Sequence, residues 1–240
     1  MKIYFKKTAE VSSDYFPPQP AFKNVPEWYK KTSAYMGDTK IPKLSDDGKV
    51  SIFSTIKKCM PVFDMISSGY ILFTPTDVWV TQEKTEIETI TQPFYTWPAW
   101  EVLNFHPIEQ APNLPYNSGH TLKYPKWINN WSIKTSPGCS VMIISPTYRD
   151  SIFTILPGVV DTDKYFNNIN FPFVLNDINF EGLIPAGTPM AQVIPFKRES
   201  FEMEIGDDQQ FIDAFNHRKN ILEVFYNGYK SKFRQDKTYK

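Results

Sequence analysis

Hydrophobic and polar positions alternate with a period of two over much of this chain, and that spacing predicts strands. Ile3 and Phe5 alternate with charged neighbours over residues 2–6. Between 69 and 81 two strands meet at a Thr74-Pro75-Thr76-Asp77 turn. Further strands are expected at 87–91 and 102–105, and residues 127–144 read as strand, Pro137-Gly138 turn and buried strand. A strand at 152–156 ends at Pro157-Gly158, and others follow at 171–175, 189–196 and 201–205.

Helical spacing is rarer. Pro26-Glu27-Trp28 opens a short helix with proline in its first turn. Ile56, Cys59 or Met60, Phe63 and Ile66 recur at helical intervals, with Ser54 placed to cap, Pro61 to kink and Gly69 to stop the helix. Cys59 is thereby expected in the core. Phe211, Phe215, Leu222, Phe225 and Tyr229 mark a closing helix over 208–233 whose apolar stripe suits docking on the sheet body. The proline-rich 15–22 segment is expected as an extended strap. One domain over 1–240 follows: straps and a short helix over 1–50, a β-rich body over 51–205, and the helix over 208–233.

Composition sharpens this picture. Aromatics make up 16% of the chain, and 20 prolines stand against 10 glycines, which favours many short strands over long helices. The 26 basic and 26 acidic residues balance, so bulk nucleic-acid binding is not expected. Two cysteines give neither a disulfide framework nor a structural zinc site. No apolar run approaches the ~20 residues of a membrane span. The lysine-rich end around 230–240 reads as a solvated tail.

Candidate chemistry centres on Gly158-Val-Val-Asp161-Thr-Asp163-Lys-Tyr165, where a strand feeds a carboxylate into a tight turn. Two such aspartates also commonly bond their own turn backbone. His106 and His120, with Glu101 or Glu109, form a candidate divalent-metal set, and no other cofactor is expected. Trp131 belongs to an aromatic group with Trp97, Trp100, Trp127, Tyr95, Tyr116 and Tyr124, suited to a ligand-stacking rim or to a core or interface. His106 and Gln110 lie in a loop beside it.

The acidic turn, followed by Gly182-Leu-Ile-Pro-Ala-Gly187-Thr-Pro-Met-Ala-Gln192-Val-Ile-Pro195-Phe, resembles the core of the dUTPase and dCTP-deaminase (β-clip) superfamily. There a G-V-I-D-x-x-Y turn precedes a G-x-x-I-A-Q-L strand. The resemblance implies a mainly-β fold: a dUTPase-like β-clip core with an N-terminal extension and a C-terminal α-helix. It places Asp161 as the general base, Tyr165 (one residue late) against a nucleoside, and Gln192 in a structural position. The family's P-R-S-G motif is represented only by Thr135-Ser136-Pro137-Gly138, without arginine, and its Gly-rich C-terminal arm is replaced by a helix. Glu181-Gly182 lies after the second strand, out of place for the deaminase branch.

The whole chain also resembles a family of uncharacterised proteins of similar length from tailed phages and marine microbes. Thr55-Ile-Lys-Lys-Cys59, Phe105-His-Pro107 with Gln110, Trp131-Ser-Ile-Lys-Thr-Ser-Pro-Gly-Cys-Ser140 and the 184–198 stretch carry that likeness. It implies phage origin, in the host cytoplasm or on the virion. The expectation is a non-catalytic small-molecule-binding or structural component, with a second copy or another phage protein as partner. The alternative is a nucleotide- or metabolite-directed hydrolase using Asp161, with Tyr165, His106, Gln110 and Trp131 around the ligand.

Overall fold

Side chains that alternate in the sequence alternate in burial in the computed structural model of the protein, which describes residues 1–8, 16–36, 43–44, 50–51, 54–84, 91–98, 101–115, 123–206, 209–224 and 228–239. Two compact units emerge. One is Met1–Asn24 with Gly69–Arg198, the other Val25–Ser68 with Glu199–Lys240.

The first unit is built of antiparallel strands. It opens with β1 (Ile3–Lys7) and β2 (Gln19–Pro20); β3 (Lys43–Leu44) and β4 (Val50–Ser51) pair with each other in the second unit. The first unit then resumes with β5 (Tyr70–Phe73), β6 (Val78–Lys84), β7 (Thr91–Thr96) and β8 (Leu103–Pro107). Next come β9 (Lys123–Trp127), β10 (Trp131–Thr135) and β11 (Cys139–Ile144). The last are β12 (Phe153–Ile155), β13 (Gly158–Val160), β14 (Phe171–Leu175), β15 (Gly182–Ile184) and β16 (Pro189–Lys197).

A five-stranded sheet in the order β13-β11-β16-β5-β2 carries the acidic turn. Its central strand β16 is buried almost continuously from Met190 to Val193, as a strand covered on both faces should be. Gln192 is buried within it, and its Oε1 accepts from Thr147 N (3.1 Å) and Thr147 Oγ1 (3.2 Å), a structural role as expected. The order β12-β14-β9-β8 forms a second sheet and β15-β6-β7 a third, while β1 and β10 form a two-stranded ribbon. The shared core is aromatic at its centre: Phe173 stacks on Trp127 at 5.1 Å and packs against Phe153 at 5.2 Å and Tyr95 at 6.1 Å.

Several expected neighbours part company. The strands on either side of the 74–77 turn enter different sheets, since β5 pairs with β16 and β6 with β15 and β7. The turn instead is pinned from a distance: Thr74 N and Oγ1 donate to Thr188 O and Pro185 O, and Asp77 accepts from Ala186 N. The continuous strand expected across 127–131 is interrupted, because Asn129 turns its amide onto Trp131 N and O. The 201–205 segment forms no strand. Of the strand expected at 87–91, only Thr91 lies within the described residues.

In the second unit, α1 (Glu27–Lys31) forms where expected, with Pro26 at its N-cap rather than in its first turn. The 54–66 helix is divided: a 3₁₀ turn at Ile56–Lys58, capped by Thr55 rather than Ser54, precedes α2 (Met60–Ser67). Pro61 does not kink α2 but occupies its first turn, where a missing N–H costs nothing. Cys59 is the extended residue between the two and is exposed, contrary to the core position expected. Tyr29 stacks on Phe63, and Lys57 donates to Tyr29 O. Asp64 of α2 accepts from Arg234 at 2.8 and 3.0 Å and from Lys237 at 2.8 Å, so two cations of the expected solvated tail are tied down. Burial works against the Asp64 carboxylate, yet these hydrogen bonds hold its pKa below the ordinary value. The closing helix is α3 (Gln209–Val224), followed by a single turn at Tyr229–Phe233. Phe211, Phe215 and Tyr229 are exposed; Phe225 lies outside the described residues.

Candidate functional site: an acidic turn clamped by arginine

Strand β13 delivers Asp161 into a turn that closes on Asp161 O, which accepts from Lys164 N (3.0 Å) and Tyr165 N (2.9 Å). Beside it lies the Pro137-Gly138 turn joining β10 to β11, where Gly138 takes a φ of +76° that side chains avoid. Buried hydroxyls weld the two turns. Thr135 Oγ1 and Thr162 Oγ1 meet at 2.9 Å, and Thr135 N donates to Thr162 O at 3.2 Å.

A third element arrives from β16. Its pairing with β11 sets Lys197 opposite Cys139, so the next residue, Arg198, runs alongside Gly138 and donates its amide to Gly138 O at 2.9 Å. The guanidinium grips Asp163 through two bonds of 2.9 and 2.5 Å. It also reaches Ser140 Oγ at 2.9 Å, Cys139 O at 3.2 Å and Asp161 Oδ1 at 3.2 Å. Gly138 N gives Asp163 a further donor at 2.9 Å. The Asp163 side chain is only 6% exposed. Neither aspartate carboxylate serves mainly its own turn: Asp163 faces Arg198 and Gly138, and Asp161 Oδ1 accepts from Ser140 Oγ at 2.6 Å.

Arg198 holds the Asp163 carboxyl down to about 2, against the cost of its partial desolvation and with help from Gly138 N. A carboxylate whose folded pKa is depressed stabilises the fold above its unfolded value and loses that stabilisation as pH falls through the folded one. Acid titration of wild type should therefore show a stability loss between the ordinary aspartate value of 3.8 and about 2 that is missing from Asp163→Asn. Parallel acid-unfolding curves of the two proteins in that window would disprove the clamp.

Asp161 keeps its side chain 59% exposed while Oδ1 is engaged by Ser140 and Arg198. Tyr165 follows in the same turn with an exposed ring. His106 and Gln110 come together elsewhere, where β8 runs into a 3₁₀ turn: His106 Nδ1 lies 2.6 Å from Gln110 Oε1. Trp131 begins β10 opposite Lys7. His120, Trp100 and Tyr116 lie outside the described residues. Among the described residues, no three His, Cys, Asp or Glu side chains gather as a metal site. Arg198 and Ser140 are the members that sequence reasoning gave no role, and Asp163 was read only as bonding its own turn. Their signal was the strand pairing, which sets the end of β16 beside the Pro-Gly turn.

No protein-family model matches the chain, and no curated protein does. Among solved structures it is similar to a mutant dUTPase from phage phi11 of S. aureus, described as coordinating a structural Mg(II) ion; identity is 11%, 75% of this chain and 97% of that one are covered, and the TM-score is 0.33. It is also similar to a dUTPase mutant of Staphylococcus bacteriophage 80alpha with dUpNHpp, at 12% identity, 73% and 86% coverage and a TM-score of 0.30. The mainly-β architecture with a C-terminal helix is as expected, and these loose structural likenesses carry nothing on substrate or reaction.

Proposed function

We propose that this protein is a phage-encoded, non-catalytic component, a small-molecule binder or an interaction module, whose acidic turn serves as a structural clamp. One observation carries the reading: the carboxylate aligned with a general base has its Oδ1 filled by a serine hydroxyl and a guanidinium. A general base must present a lone pair to the proton it takes, in reach of a held water. Here both donors to Asp161 Oδ1 belong to the fold itself. The arginine that could have gripped a phosphate is spent on Asp163. Phage origin, with residence in the host cytoplasm or on the virion, goes with this reading; no described helix is long and apolar enough to cross a membrane.

Thermal-shift and hydrolysis assays against nucleoside triphosphates, with and without divalent cations, test it alongside Asp161→Asn. A ligand at 100 times its Kd stabilises by ~2.7 kcal/mol, so binding is readily seen. The expected result is no nucleotide turnover by either protein, and any ligand-induced stabilisation retained in Asp161→Asn. Turnover by wild type that vanishes in Asp161→Asn would instead establish the hydrolase reading.

A further inference from the structure

Residues 201–205 read Phe-Glu-Met-Glu-Ile, an alternation that suits a strand with one apolar and one acidic face. Yet the segment is unpaired, with Phe201 89%, Met203 83% and Ile205 91% exposed. Isolated exposed hydrophobics need no explanation, but three in strand register on an unpaired backbone mark a missing neighbour.

The first unit offers an edge that fits. In the β1–β10 ribbon, Thr8 N donates to Asn130 O and Lys2 O accepts from Ser136 N. Even-numbered residues of β1 therefore carry the ladder to β10, and the amides and carbonyls of Ile3 and Phe5 point to the opposite edge. Among the described residues no strand pairs there. The two faces of β1 differ sharply. Ile3 and Phe5 are half-buried against the core, while Lys2, Tyr4 and Lys6 are exposed, with Lys134 on the neighbouring strand opposite Tyr4.

We propose that the 201–205 segment of one copy adds as an antiparallel strand to the open edge of β1 in a second copy. Setting Met203 opposite Phe5 brings Ile205 opposite Ile3, extending the apolar face. The same register sets Glu202 opposite Lys6 and Glu204 opposite Tyr4, between Lys2 and Lys6. Apolar meets apolar on one face and acid meets base on the other, so the charges select this pairing over a one-residue slip, which would turn the glutamates toward the core. Main-chain bonds give such a strand addition its affinity, and the side chains give it specificity. The partner is a second copy because the complementary strand is written in this chain. The pairing is independent of what the acidic turn does.

Light scattering after size exclusion tests it with five exposed side chains. Wild type should run above its 27.9 kDa monomer mass. Glu202→Lys with Glu204→Lys, and separately Lys2→Glu with Lys6→Glu, should each weaken assembly roughly tenfold or more. Combining all four reversals should restore it. Met203→Glu, which leaves the charges alone, should also weaken it. Circular dichroism checks that each variant is folded. A wild type at monomer mass, doubles that assemble unchanged, a Met203→Glu protein that assembles unchanged, or a quadruple variant that stays apart would each overturn the pairing.

Discussion

Gly69→Ala should cost at least ~3 kcal/mol of folding stability, a large share of the 5–15 kcal/mol a domain typically has. Gly69 holds a φ of +71° at the entrance to β5, a conformation that itself costs an L-residue about 1–2 kcal/mol. A methyl there would lie 2.0 Å from Val193 O and 2.9 Å from Val193 C, both backbone atoms of the central strand β16. No rotamer relieves that contact. Either β5 or β16 must shift, and the ladder between them, together with the Ala21 N to Gly69 O bond of 2.9 Å, must yield. Gly138→Ala is the control. Its φ of +76° carries a similar conformational cost, but a methyl there meets nothing within 4 Å. Denaturant midpoints should rank wild type above Gly138→Ala and Gly138→Ala well above Gly69→Ala. Equal losses at the two glycines would mean that close approach of β16 contributes nothing.

Periodicity made most strands legible, because it reports local conformation. The edges of β1, β11, β12, β14 and β16 fall within a few residues of the expected ones. Partnership was not legible. β5 and β6, or β10 and β11, are contiguous in sequence and apart in pairing, since which edge a strand finds is settled by the packing of the whole unit. β9 escaped notice because Pro125 interrupts its pattern. The proline is tolerated where β14 pairs only with Lys126 and Trp127. The apolar stripe of α3 was legible, but its fate was not: periodicity shows that a face wants cover, not what covers it.

The site divides in the same way. Asp161 stood out because a strand, a turn and a carboxylate adjoin in sequence, and His106 with Gln110 because they share one loop. Ser140 and Arg198 did not, because they reach the turn from β11 and β16. An aspartate in a turn suggests a base or an Asx bond; only the opposing strand reveals a guanidinium. The contacts of the acidic turn are thus set by residues distant in sequence.

Phe173→Ala should cost ~3–5 kcal/mol, the range for deleting a buried aromatic ring. Phe173 is fully buried on β14 and touches three other rings, so no single neighbour can swing in to fill its place. The lower end of that range is expected for a specific reason. Tyr95 Oη and Trp127 Nε1 are buried polar atoms without a hydrogen-bond partner among the described residues, and both rings pack on Phe173. Water admitted to a cavity that reaches either atom would recover part of the cavity cost. Burial without a partner also pushes the Tyr95 hydroxyl pKa upward, in keeping with a dry surrounding in the intact core. Phe173→Leu keeps most of the volume and should lose much less. Urea unfolding of the three proteins, followed by indole fluorescence, checks both steps. A Phe173→Ala protein within ~1 kcal/mol of wild type would show that the aromatic cluster is not the keystone of the first unit.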